Sequence, residues 1–136
     1  MYRILLVDDE WLELDTLKNY IPWTDMGFQV AGTAENGKAA LRLLEELDLQ
    51  LGDGTDGRHL PDVVLTDVKM PVMDGLVFSR TVHERYPDMQ IVFLSGYNDF
   101  EYVRSALSVE ACGYILKPLD LEELKKTMEK DRKSVV

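Results

Sequence analysis

The chain is 136 residues long, a length that suits one compact domain. It carries 25 Asp and Glu against 15 Lys and Arg, a formal net charge of −10, so it lacks the basic surface that gripping nucleic-acid phosphates requires. Cys112 is the one cysteine, which excludes an intramolecular disulfide; between Ala111 and Gly113 it reads as a small packed side chain rather than a reactive thiol.

The chain opens on Arg3-Ile4-Leu5-Leu6-Val7, a short unbroken apolar run closed by Asp8-Asp9-Glu10. Such a run predicts a strand buried on both faces, and it is too short for a signal peptide or a membrane span, so a cytoplasmic location is expected. Trp11, Leu14, Leu17 and Ile21 then recur at helical spacing until Pro22 ends the helix. Phe28 to Ala34 predicts a second strand, Asn36-Gly37 a turn, and Lys38 to Leu49 a helix with Ala40, Leu43, Leu44 and Leu47 inward. Residues 50–61 mix Gly and Pro with Asp53, Thr55 and Asp56 and keep no period, which predicts a loop. Val63 to Thr66 is a third buried strand, ending at Asp67. Asp74 is placed to cap a helix reaching about Tyr86, with Leu76, Val77, Val82 and part of Phe78 on its apolar side. Gln90 to Leu94 is a fourth strand, ending at Ser95-Gly96. Asp99 can cap a helix carrying Phe100, Val103, Ala106 and Leu107, and Gly113 to Leu116 is a fifth strand, ending at Lys117-Pro118. Asp120 can cap a last helix with Leu121, Leu124 and Met128 on one side. Residues 1–130 thus form one α/β domain, and 131–136, short and polar, read as the start of a linker or simply the chain's end. Non-alternating strands joined by helices imply a parallel sheet covered on both faces, with right-handed crossovers.

The chemistry collects where the strands stop. In a parallel sheet all carboxyl ends point one way, and ligands of open α/β sheets sit in the crevice there. Asp8-Asp9, Asp67, Ser95 and Lys117 therefore converge on one rim. Strand ends are often polar because loops are solvated, which accounts for any one of these residues. It accounts less well for three carboxylates, a hydroxyl and a lysine together. Carboxylates so gathered repel, and a bound cation removes the conflict; with no His or Cys among them the expected ion is hard, namely Mg²⁺. Asp9 and Asp67 are expected as direct ligands, Asp8 through water, and the backbone carbonyl of Lys69 as a further ligand. A carboxylate beside such a cation stays ionised and can attack phosphorus, the Lys117 ammonium offers a second positive point, and the Ser95 hydroxyl can donate to a phosphoryl oxygen.

At these residues the chain resembles the response-regulator receiver family of two-component systems. The resemblance runs through Leu5-Leu6-Val7-Asp8-Asp9-Glu10, Leu65-Thr66-Asp67-Val68-Lys69-Met70-Pro71-Val72-Met73-Asp74-Gly75, Phe93-Leu94-Ser95-Gly96-Tyr97 and Tyr114-Ile115-Leu116-Lys117-Pro118. It implies a flavodoxin-like (βα)5 three-layer sandwich with a five-stranded parallel sheet in the order 2-1-3-4-5. It implies Asp67 as phosphoacceptor from a histidine kinase, Asp8 and Asp9 as the acidic pocket for Mg²⁺, Ser95 as switch hydroxyl, Lys117 as the phosphate-contacting amine, Tyr114 as a rotating aromatic, and a cis Lys117-Pro118 peptide. The output surface it implies is the face of the helix after Asp99, the fifth strand and the helix after Asp120, where similar receivers dimerise on phosphorylation; Tyr97, Phe100 and Tyr102 could belong to it. Ile21 to Phe28 and Ser95 to Tyr102 look like the subgroup joined to AraC-type DNA-binding domains, so DNA would be reached only through a separate output domain. The 50–61 loop is longer than the family's usual one and lies on the rim away from Asp67.

Three other readings stand beside this one. A Mg²⁺-dependent phosphatase with an aspartate nucleophile would resemble a strand followed by Asp-x-Asp, but Lys69 occupies the second acid's place. A phosphorylation-independent binding scaffold would not need the full set of pocket groups. A flavin-binding relative would need a Ser-, Thr- or Gly-rich loop after the first strand, where Asp8-Asp9-Glu10 stands. On the receiver reading the chain is a regulatory domain that assists only its own phosphorylation and dephosphorylation, not an enzyme.

Overall fold

A computed structural model describes residues 2–49, 60–96, 113–117 and 119–135, with side chains to 129. The helix expected after Asp99, Cys112, the aromatic residues 97, 100 and 102, and the Lys117-Pro118 peptide lie outside these residues. The elements are β1 (Tyr2–Val7), α1 (Trp11–Asn19), β2 (Phe28–Ala34), α2 (Gly37–Leu49), β3 (Val63–Thr66), α3 (Gly75–Arg85), β4 (Gln90–Ser95), β5 (Gly113–Leu116) and a last helix, here α4 (Leu121–Val135). The sheet has five strands in the order β2-β1-β3-β4-β5, and every neighbouring pair is parallel. Both the order and the direction expected from the sequence are found. α4 continues as helix to Val135, through the stretch expected to begin a linker. No helix among the described residues is long and apolar enough to cross a membrane.

The unbroken apolar runs form strands because successive side chains enter opposite cores. Leu5, Val7, Val64, Ile91 and Phe93 join Ala40, Leu44, Leu76, Phe78 and Val82 on the face covered by α2 and α3. Ile4, Leu6, Val63, Leu65, Val92, Leu94 and Ile115 join Leu14, Leu17, Leu124 and Met128 on the face covered by α1 and α4. Trp23, in the turn after α1, is buried in this second core, and its Nε1–H donates to the Leu17 carbonyl at 2.7 Å, tying the end of α1 to the entrance of β2. Gly27 permits that entrance with φ 88°, and its carbonyl accepts from the Tyr2 N–H at 3.1 Å.

Three helical residues depart from their expected faces. Trp11 is 68% exposed, Val77 47% and Leu121 38%, and each lies in the first turn of its helix. Phe78, expected to be only partly inward, is fully buried.

Strand register sets the site. Val7, Thr66, Phe93 and Tyr114 pair in one row across β1, β3, β4 and β5. Asp8 and Asp67 follow their strands by one residue, with the Asp67 N–H donating to the Val7 carbonyl at 3.0 Å. Ser95 pairs with Leu116, and the Lys117 N–H donates to the Ser95 carbonyl at 2.8 Å.

α3 begins very close to the end of β3. The Gly75 N–H donates to the Val68 carbonyl at 2.6 Å, and a Cβ on Gly75 would overlap the Asp67 carbonyl oxygen and lie 3.0 Å from Val68 Cα. Backbone cannot yield there as a flexible side chain could. Gly75→Ala is therefore expected to destabilise the domain by about 1–3 kcal/mol, the usual cost of forced overpacking, read as a lower urea midpoint with an unchanged slope.

Candidate functional site

Asp8, Asp9 and Asp67 each present a carboxylate oxygen within 4.8 Å of the others. Asp8 and Asp67 are buried at 1% and 8% exposure, while Asp9 is open to solvent. Local backbone fixes both buried acids. The Glu10 N–H donates to Asp8 Oδ1 at 2.9 Å, just ahead of α1, and the Val68 N–H donates to Asp67 Oδ1 at 2.7 Å. The second oxygen of Asp8, Oδ2, is buried with no hydrogen-bond partner among the described residues. Its nearest positive group is the Lys117 ammonium, at 3.8 Å.

Lys117 comes from the end of β5 and stands among several acids. Its Nζ lies 3.5 Å from Asp67 Oδ2 but only 2.6 Å from Glu13 Oε2. Glu13 sits in the first turn of α1 and was not singled out by sequence reasoning. The available signal was its position: α1 starts right after Asp8-Asp9-Glu10, so its first turn must overhang the same rim.

Burial dominates the protonation of this group. Asp8 is pushed up to about 8 by desolvation, reinforced by its contact with Glu13 and the charge of Asp67, and opposed by the Glu10 N–H and Lys117. Asp67 is raised for the same first reason, against the pull of Lys117 and the Val68 N–H. Glu13 moves the other way: burial would raise it, but the hydrogen bond from Lys117 and the contact with Asp8 hold it below the usual carboxylate range. Burial alone would lower Lys117, yet Glu13, Asp67 and Asp8 together raise it. Lys117 is thus the positive group that Asp8, Glu13 and Asp67 have in common.

Ser95 is fully buried, and its Oγ has no hydrogen-bond partner among the described residues. Tyr114 pairs with Phe93, two residues before Ser95, and so lies on the same sheet face. It packs against the core on that face, with its hydroxyl oxygen shielded from solvent. Lys69 is exposed in the loop leaving Asp67. The same loop holds a γ-turn: the Met73 N–H donates to the Pro71 carbonyl at 2.8 Å around Val72, whose φ of 71° is a strained value for a β-branched residue. Of the residues singled out from the sequence, Asp8, Asp9, Asp67 and Lys117 are brought together, and Ser95 and Tyr114 line the adjoining strand ends.

Comparison with known proteins agrees with this geometry. The family described as Response regulator receiver domain matches residues 4–129. YesN of Bacillus subtilis, described as an uncharacterized transcriptional regulatory protein, is 35% identical over 129 residues, which cover 95% of this chain and 32% of that protein. The transcriptional regulatory protein HptR of Staphylococcus aureus is 32% identical over 124 residues, covering 91% of this chain and 44% of its own length. The chain thus spans less than half the length of these curated relatives. Among solved structures, a two component transcriptional regulator AraC from Clostridium phytofermentans superposes with a TM-score of 0.82 at 34% identity, covering 99% of this chain and 95% of that one.

The raised Asp8 carboxyl gives a stability test. Its ordinary value of 3.8 applies unfolded and about 8 applies folded, so ionising it costs stability that grows as pH rises between those values and is complete above the higher. Asp8→Asn removes that cost and keeps a donor for Glu13. In chelator, the variant is expected to exceed the parent by roughly 1–3 kcal/mol at pH 8.5, the scale for an unmet buried polar group, with a smaller gain at pH 5. Urea unfolding at the two pH values checks it.

Proposed function

The chain belongs to the response regulator receiver domain family, and from that premise we propose that it is a phosphoryl-accepting switch, with Asp67 as the acceptor and a sensor histidine kinase as the donor. The observation that carries the reading is the close grouping of three carboxylates from two strand ends with a lysine from a third. The group fits a hard divalent cation. Its donors are all carboxylate oxygens, and one of them, Asp8 Oδ2, is buried without a hydrogen bond. Asp9 and Asp67 would hold Mg²⁺ directly, Asp8 through water, and the Lys69 carbonyl would add a ligand. When bound, the ion offsets the charge of the carboxylates and of the phosphoryl oxygens.

In the transfer, Asp67 Oδ2 attacks the phosphorus of the donor phosphohistidine. The new bond is an acyl phosphate, the P–N bond breaks, and the imidazole leaves. Val68 N–H holds the other carboxylate oxygen, Oδ1, and leaves Oδ2 beside Lys117. Lys117 is close enough to reach the incoming oxygens after a small movement. The Ser95 hydroxyl, buried with no partner among the described residues, would donate to one of them, and Tyr114 on the same face would follow that movement.

Each charge-assisted hydrogen bond gained is worth about 1.5–3 kcal/mol, and inverting a 1:99 population needs about 5.5 kcal/mol, so Ser95 and Lys117 together supply much of a full switch. The changed surface would be the one formed by β5, α4 and the intervening region before β5. It would support homodimerisation and the control of an output domain, a transcriptional one given the names of the relatives. The protein would be cytoplasmic, act as a regulatory domain rather than a turnover enzyme, and reach DNA only through its output domain.

Incubation with acetyl phosphate and Mg²⁺ followed by intact mass analysis tests this. The native chain is expected to gain one phosphoryl group that hydroxylamine removes. Asp67→Asn or added chelator should abolish the gain. Equal labelling of the Asn variant would mean that the acceptor lies elsewhere, and repeated turnover of the donor would favour the phosphatase reading.

A further inference from the structure

Lys117 is closer to Glu13 than to either buried aspartate, and that preference has a consequence for the switch. An ammonium has three donors but a single charge, and its strongest partner decides where it rests. Here the strongest partner is Glu13 Oε2 at 2.6 Å, against 3.5 Å to Asp67 and 3.8 Å to Asp8. Lys117 and Glu13 side chains are 23% and 36% exposed, so water screens the pair only in part. Glu13 is held by α1, which leaves directly from the acidic strand end, whereas Lys117 is held by β5 on the far side of the pocket. The ion pair therefore joins α1 to the end of β5 beside the acids.

We propose that Glu13 is a positioning residue for Lys117, holding the ammonium just off Asp67 in the unphosphorylated protein and competing with the phosphoryl group for it. The proposal rests on the receiver reading and adds a regulatory part to the same site. When Asp67 carries a phosphoryl group, its oxygens offer Lys117 more negative charge than Glu13 does, and the lysine transfers. Breaking the Glu13 contact is then a standing cost of the phosphorylated state. Removing the contact favours that state without touching acceptor, hydroxyl or lysine.

The test uses beryllofluoride with excess Mg²⁺ as an acyl-phosphate mimic, with affinity measured by calorimetry. Glu13→Gln is expected to bind roughly two- to fivefold tighter than the native chain, the scale of a partly exposed ion pair. Glu13→Asp keeps the charge but withdraws the carboxylate from Lys117, and is expected to tighten binding as well. In a Lys117→Met background, Glu13→Gln should change nothing further. A metal-free cycle of urea midpoints on the same variants should show Glu13→Gln lowering stability with Lys117 present and not with Met in its place; this arm decides the matter if Lys117→Met abolishes binding. Native-like affinity in Glu13→Asp, or a Glu13→Gln effect that survives loss of Lys117, would overturn the proposal in favour of simple through-space charge. Failure of the native chain both to bind the mimic and to take up a phosphoryl group would overturn the receiver reading, and this one with it.

Discussion

One ammonium among four carboxyl groups is the constraint around which this structure is organised. Lys117 stands within 4 Å of Asp8, Glu13 and Asp67, with Asp9 at the rim, and the two aspartates nearest the core are almost closed to solvent. Buried like charges cannot all stay ionised without a counter-charge, so some carboxyl must hold a proton, share the lysine or hold a cation. Burial pushes Asp8 up, while Lys117 pulls Glu13 down, so the lysine's charge falls mainly to the more exposed acid.

The sheet makes that concentration of charge unavoidable. Parallel register aligns Val7, Thr66, Phe93 and Tyr114 in one row, so whatever follows each strand by one to three residues must gather at one edge. A core on each face packs the strands that carry these acids. The Asp67 loop is confined further by Gly75, whose missing side chain lets α3 begin against the Asp67 carbonyl, and by the γ-turn at Val72. Strain and desolvation here are thus carried by packing elsewhere.

Much of this was legible in the sequence, for identifiable reasons. Strands buried on both faces leave unbroken apolar runs, and β1, β3 and β4 lie where those runs do. Asp74 caps α3 as expected, its Oδ1 accepting from the Val77 N–H at 2.9 Å. Strand order came from resemblance rather than pattern, since hydrophobicity says which faces are buried and not which strands are neighbours. Helix faces were misjudged at Trp11, Val77 and Leu121 because periodicity treats a first turn like any other, although that turn overhangs the rim. Glu13 was overlooked for a related reason. A carboxylate on a helix normally reads as part of a solvated face, and only the direction in which α1 leaves the sheet turns it toward Lys117.

That direction also links two parts of the molecule that look separate. α1 is anchored at its far end by Trp23, which lies in the core against Phe28 and donates to the Leu17 carbonyl. Its near end is fixed by the Asp8 side chain accepting from Glu10 N–H, so the helix that carries Glu13 is held by one of the pocket's own acids. Asp8 Oδ1 is spent on that backbone contact, and only Oδ2 remains to meet a proton, the lysine or, through water, a cation. The acid after β1, helix α1 and the lysine after β5 therefore meet in one cluster, with Lys117 Nζ 2.6 Å from Glu13 and 3.8 Å from Asp8.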